Sequence, residues 1–288
     1  MAKPSLDTMR PAARFWWSLG RAALFVAIFV GFQSQLSSVI SVLLYVITDG
    51  PLDQVALMNE LMGWTSMIAA VAGVLTIITV LLILYVRDYS PAEELGLVSP
   101  VRRITLLQAA LLGVGACGAA SLILSMIPFP ESWMDSYTQS AEAVSGGNPV
   151  LDILATVIIA PVAEEIVFRG LVYGSLRRAM PPILAAIITS AVFGILHGTI
   201  VWFVYTALLS MMLIFLYEYT QSLWASILAH MAFNTFGQLP LLFEDGPLWI
   251  SAVYVYGCIG VFVAALIWTL KSRSKHRAVP TPLGGMPQ

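Results

Sequence analysis

Charge is what this chain has least of. Lys and Arg number 14 and Asp and Glu 16 in 288 residues, 10% in all, where a soluble domain carries roughly a quarter. That scarcity excludes an ordinary soluble enzyme, and a net charge of −2 excludes the basic surface that nucleic acid needs. Cysteine is almost absent too. Cys117 and Cys258 lie in apolar stretches far apart in sequence, so a disulfide framework is excluded and both read as buried thiols. The first apolar stretch is long, carries Gln33, Ser34 and Gln35, and is not followed by a small-residue cleavage pattern. It is therefore a retained span, not a cleaved signal. The soluble metalloprotease signature, two His flanking a Glu on one helix, is missing, as are a Ser, His and Asp arrangement and a phosphate-cradling loop.

What is present is hydrophobic sequence: 59% of residues, with a mean hydropathy of +0.86. At about 20 apolar residues per crossing, the chain divides into about eight spans, near 21–46, 62–86, 104–127, 149–176, 181–198, 200–217, 222–240 and 248–270. The expected fold is an all-α, polytopic transmembrane bundle around a polar intramembrane cavity, built as one membrane domain over 1–288. Basic residues set the orientation. Lys3, Arg10, Arg14 and Arg21, then Arg87, Arg102 and Arg103, then Arg177 and Arg178, then Lys271, Arg273, Lys275 and Arg277 occupy alternate loops. The other loops hold Asp49, Asp53, Glu131, Asp135, Glu142, Glu244 and Asp245 without a basic residue. Both termini are expected in the cytoplasm, and 271–288 is expected to be a disordered cytoplasmic tail near anionic head groups.

Two connecting segments carry local signals. Ser90, Pro91 and Glu93 form a helix-start pattern, a hydroxyl cap followed by proline and a carboxylate, and predict a short interfacial helix. The acidic stretch from Pro128 to Pro149, with Gly146, Gly147 and Asn148 at its end, reads as a mobile external loop.

Four ionisable groups, Glu164, Glu165, His197 and His230, fall inside apolar stretches where each costs about 2.5 to 3.5 kcal/mol at mid-membrane. Such residues are expected to face one another or a cavity. Spans four and five turn near Met180, Pro181 and Pro182, and Glu164 and His197 each lie roughly 24 Å from that bend at 1.5 Å per residue. They are level. His230 lies about 15 Å from the start of its own span, so the three can meet. Glu165 and Arg169, four apart, share a helix face and form an expected ion pair, leaving Glu164 to point elsewhere and hold water. Pro161 removes a backbone donor and exposes a carbonyl. His230 and Asn234, also four apart, offer two donors from one surface, as an oxyanion requires. Phe193 lies one turn before His197 and is a candidate pocket wall, while Gly194 and Gly198 allow close helix approach.

Glu164, Glu165 and Arg169 in EEIVFRG, Phe193 and His197 in FGILH, and His230 and Asn234 in HMAFN resemble the motifs of the CAAX protease and bacteriocin-processing family of membrane endopeptidases. That family includes type II CAAX prenyl endopeptidases and lysostaphin-resistance-like proteins. The resemblance covers roughly 149–241, and the segment PAEELGLVS is loosely similar as well. It implies an intramembrane endopeptidase acting on a membrane-associated peptide or protein in a lipid bilayer. Glu164 with His197 would activate water, His230 with Asn234 would stabilise the oxyanion, and Glu165, Arg169 and Phe193 would support them. It also implies a prokaryotic plasma-membrane setting. Glu164, His197 and His230 would be the ligands if zinc were used, but a metal-free glutamate and water route is preferred. A non-proteolytic immunity or scaffold protein, or a polar-pathway transporter, are the alternatives.

Overall fold

The computed structural model describes residues 9–48, 54–145, 148–242 and 246–273, and among these it is helical without strands. Helix α1 spans Pro11–Ile47 and α2 Gln54–Val86. A short α3 at Pro91–Glu94 leads to α4 at Arg103–Met126 and α5 at Glu131–Ser145. Helix α6 (149–176) is continuous but changes winding, with wide π turns at Leu154–Ile159 and Glu165–Tyr173 separated by α-helix at Ala160–Glu164. Then come α7 at Pro182–Ile195, α8 at Ile200–Thr220, α9 at Leu223–Gln238 and α10 at Leu248–Arg273.

Five stretches, Pro11–Ile47, Glu60–Val86, Arg103–Met126, Ile200–Thr220 and Leu248–Ser272, are long and apolar enough to cross a membrane. Their outer faces carry Val42, Val46, Ile78, Leu82, Val253 and Val263, all substantially exposed, a surface suited to hydrocarbon and not to water. The molecule is an all-α integral membrane bundle. Among the described residues these five helices meet that length and composition, against about eight expected spans. The equivalents of spans five and seven, α7 and α9, contain only 14 and 16 residues, and the equivalent of span four, α6, changes winding along its length. Helix α1 also starts ten residues before the expected 21, because Pro11 occupies the first helical turn and its fixed φ is compatible with helix there.

The acidic stretch after α4 is not the plain loop expected. Glu131 to Ser145 form a helix whose Val144 carbonyl accepts a hydrogen bond from Ser66 of α2 at 3.1 Å. Gly146 and Gly147 lie outside the described residues, as do Lys3, Asp49, Asp53, Glu244, Asp245 and the tail from 274. The helical start at Pro91 is as expected, with the Ser90 hydroxyl accepting from the Glu93 amide at 3.4 Å. Cys117 and Cys258 are both free and buried.

Helix α6 lies at the centre, packed by α1, α2, α7 and α9, while α4 forms a second layer between α9 and α10. Close approach in that layer depends on glycine. A Cβ on Gly113 would overlap the backbone carbonyl of Ala229, and one on Gly115 would overlap the backbone of Phe262. Neither neighbour is a flexible side chain, so Gly113→Ala should force α4 away from α9. The expected loss is about 1 to 3 kcal/mol, the usual cost of overpacking, read as a lower melting temperature of the detergent-solubilised chain.

Ionic contacts lock one end of the bundle. Glu94, the last residue of α3, accepts from Arg21 of α1 at 2.6 Å and from Arg178, just beyond α6, at 2.9 Å. Arg177 pairs with Glu218 of α8 at 2.5 Å. Leu223 at the start of α9 donates its amide to the Gly96 carbonyl, and Gly96 has a φ of +70°, a conformation that favours glycine. Arg21 of α1 and Arg177 and Arg178, just beyond α6, thus meet Glu94 and Glu218 at one end.

Candidate active site

The α6–α7 hairpin sets the register of the site. Phe168 on α6 meets Phe193 on α7 with ring centroids 5.0 Å apart, and four residues further from the bend that alignment brings Glu164 opposite His197. Helix α7 ends at Ile195, however, so His197 occupies the turn beyond it and not the interior of a span. Gly198 makes this turn possible with a φ of +89°. No neighbour lies within 4 Å of a Cβ placed there, so its role is conformational and not the close packing expected. Gly194 does face a tight contact, with Phe203 of α8 at 2.8 Å from its notional Cβ.

The His197 ring approaches the Phe193 carbonyl through Nδ1 at 2.7 Å. A carbonyl only accepts, so Nδ1 carries the proton and Nε2 keeps its lone pair in the neutral ring. Glu164, His230 and Arg169 are the electrostatic neighbours of this imidazole.

His230 sits between the two glutamates. Its Nδ1 bonds Glu165 Oε1 at 2.8 Å, and its Nε2 lies 3.7 Å from Glu164 Oε2. Glu165 Oε1 also accepts from Arg169 Nη1 at 2.8 Å, with both side chains fully buried. The predicted ion pair is therefore present. Glu164 and Glu165 approach the His230 ring from opposite edges, one at each nitrogen. Arg169 stacks over Phe193 with its Cζ 4.6 Å from the ring centre, and Phe193 is 4.6 Å from the His197 ring and 6.0 Å from His230. Phe193 is the shared wall of the site.

Asn234 has a partner that sequence alone did not identify. In the π turn the Ala160 amide bonds the Ala155 carbonyl five residues back, so the next amide in register, that of residue 161, would serve Thr156. Residue 161 is proline and has no amide hydrogen. The Asn234 side-chain amide takes its place, donating to the Thr156 carbonyl at 2.7 Å. Asn234→Ala should leave that carbonyl unpaired and cost about 1 to 3 kcal/mol. Pro161→Ala restores a donor in register, so the double variant should be more stable than Asn234→Ala alone in a thermal-unfolding cycle. Strictly additive losses would rule out this origin for the bond.

Three further residues belong to the site or its border. Trp202 of α8 meets the His197 ring edge-on at 6.4 Å, and Tyr137 of α5 meets Trp202 at 6.1 Å, so α5 closes over the His197 side. Thr199, whose hydroxyl caps α8, was the available sequence signal for that geometry. Asp152 at the start of α6 is buried, and neither carboxylate oxygen has a hydrogen-bond partner.

Residues 146–236, the range containing all seven candidate site residues, match the family model described as Type II CAAX prenyl endopeptidase Rce1-like. The similarity is confined to this central segment, which is less than half of the chain. The chain is also similar to a Bacillus subtilis (strain 168) protein named "Putative membrane peptidase YdiL", with 34% identity over 99 residues, 34% of this chain and 40% of that protein. The match spans less than half of the relative's length. No solved structure matches the chain. The matched segment begins ahead of α6 and ends within α9, so it contains the three elements that carry the site, together with α8.

Proposed function

We propose that the chain is an intramembrane endopeptidase that hydrolyses a peptide bond of a membrane-associated protein or peptide. The supporting observation is the convergence of Glu164 of α6, His230 of α9 and the turn bearing His197 on a buried, largely apolar centre. In this reading a water lies between Glu164 and His197 Nε2. Glu164 takes its proton, His197 orients it by accepting the other hydrogen, and the hydroxide oxygen bonds to the scissile carbonyl carbon. The resulting oxyanion accepts from His230 Nε2 and from the Asn234 amide hydrogen not used by Thr156. Donation from Nε2 requires His230 to carry both ring protons, and Glu164 and Glu165 flank it. Collapse breaks the C–N bond as Glu164 returns its proton to the departing amine. Donors directed at a forming oxyanion are commonly worth about 3 to 4 kcal/mol.

We favour the metal-free glutamate and water route over zinc. Among the described residues no group of three His, Cys, Asp or Glu side chains is placed to hold a metal ion, whereas the Nδ1 bonds of His197 and His230 leave Nε2 of each ring open and do not bear on the choice. Cleavage should therefore survive exhaustive chelation, with metal analysis of the purified protein as the parallel readout; stoichiometric zinc whose removal stops turnover would overturn the metal-free route. The direct test of function is to incubate reconstituted protein with membrane peptides of its host and search by mass spectrometry for new termini. New termini that need Glu164 support hydrolysis. A cellular effect that persists after replacement of Glu164, His197 and His230 would favour a scaffold or immunity role.

A further inference from the structure

At the basic end of the bundle, remote from the glutamates and histidines, α1 and α2 border a groove of about 360 Å³. Trp17, Arg21, Arg87 and Tyr89 line its polar part, and Leu24 and Ile83 extend it along the apolar faces of the two helices. Arg21 is held in a fixed position. Its side chain is only 9% exposed, its Nη2 bonds Glu94, and its guanidinium lies 5.4 Å from the Trp17 and Tyr89 ring centres. Its Nη1 is nonetheless buried without a hydrogen-bond partner. Glu94 is shared with Arg178, so one carboxylate faces two guanidiniums and the cluster keeps a positive excess. Arg87 is exposed and forms no ion pair among the described residues. Asp88 beside it and Glu93 do not line the groove.

We propose that this groove binds the phosphate of an anionic phospholipid, with Arg21 and Arg87 as donors and an acyl chain along Leu24 and Ile83. Three features favour a lipid over a free anion. The donors sit where aromatic and basic side chains characteristically meet head groups, the groove continues into a surface that faces hydrocarbon, and Leu24 within it is half exposed. A planar guanidinium with one edge engaged offers its other edge to phosphate oxygens. The site is independent of the hydrolytic reading.

The test is native mass spectrometry of the full chain in detergent with equimolar phosphatidylglycerol and phosphatidylcholine, combined with thermal unfolding. Wild-type protein should retain phosphatidylglycerol preferentially. Arg87→Gln, at an exposed site where folding is not at risk, should reduce that retention about fivefold, the worth of one basic residue at an anionic surface. Arg103→Gln, outside the groove, should leave it unchanged. Equal retention of the two lipids, no effect of Arg87→Gln, or an equal effect of Arg103→Gln would each overturn the assignment. Inorganic phosphate that raises the melting temperature as much as phosphatidylglycerol would overturn it in favour of a free anion.

Discussion

Glu164→Gln should abolish peptide cleavage while leaving the melting temperature of the protein nearly unchanged. The separation of the two readouts follows from where Glu164 sits. Its side chain is 16% exposed, and among the described residues its one ionic approach is the 3.7 Å separation from His230, too long for a hydrogen bond. Glutamine preserves shape and polarity but cannot accept a proton from water, and loss of a positioned base costs about 10²- to 10⁴-fold in rate. The measurement is kcat/KM on a cleaved peptide beside a thermal melt in the same detergent. Undiminished turnover would remove Glu164 from the mechanism, and the convergence of the site would then have to be explained by structure alone.

Glu165→Ala should have the opposite emphasis, a large loss of stability accompanied by a loss of activity. Arg169 has no solvent exposure, and among the described residues its one close carboxylate contact is Glu165. Removing that carboxylate leaves a buried guanidinium against Phe193, and breaking one side of a buried pair costs about 3 to 5 kcal/mol. The same change frees His230, whose ring orientation depends on the Nδ1 bond. A second substitution separates these effects. Glu165→Ala combined with Arg169→Met removes both charges, and replacing a buried pair with apolar side chains is often neutral or better for stability. The double variant should melt near the wild-type temperature and still fail to cleave, because His230 has lost its anchor. If it recovers activity as well as stability, Glu165 acts only through Arg169.

Helical spacing made part of this site legible before any coordinates. Residues four apart gave the Glu165 and Arg169 pair, equal distances from the Met180–Pro182 bend gave the level of Glu164 and His197, and Pro161 marked a carbonyl in need of a donor. What spacing did not provide was azimuth. Glu164 and Glu165 are consecutive with ordinary helical dihedrals, so they diverge, and what spacing could not show is that the His230 ring enters between them and meets one carboxylate at each nitrogen. Asn234 illustrates the same limit. Its distance from Thr156 along the chain is 78 residues, and no periodicity within one helix connects them. Helix α5 was missed for a compositional reason. Its 15 residues are too short and too polar to register as a membrane crossing, although they are amphipathic, and its contacts with α2 and α8 are visible only once those helices are assembled.

The short length of α7 has a consequence for the surrounding bilayer. Fourteen residues rise only about 21 Å, well short of a hydrocarbon layer about 30 Å thick. Lipid beside this helix must thin or tilt to meet it, at a cost of a fraction of a kcal/mol for each ångström of mismatch. With the Arg177 and Arg178 end held at the head groups, the shortfall is expected at the end carrying His197, where a thinned leaflet would bring the aqueous boundary toward the imidazole. Thicker membranes should therefore dry this region, and turnover should decline as acyl chains in the reconstituted bilayer are lengthened.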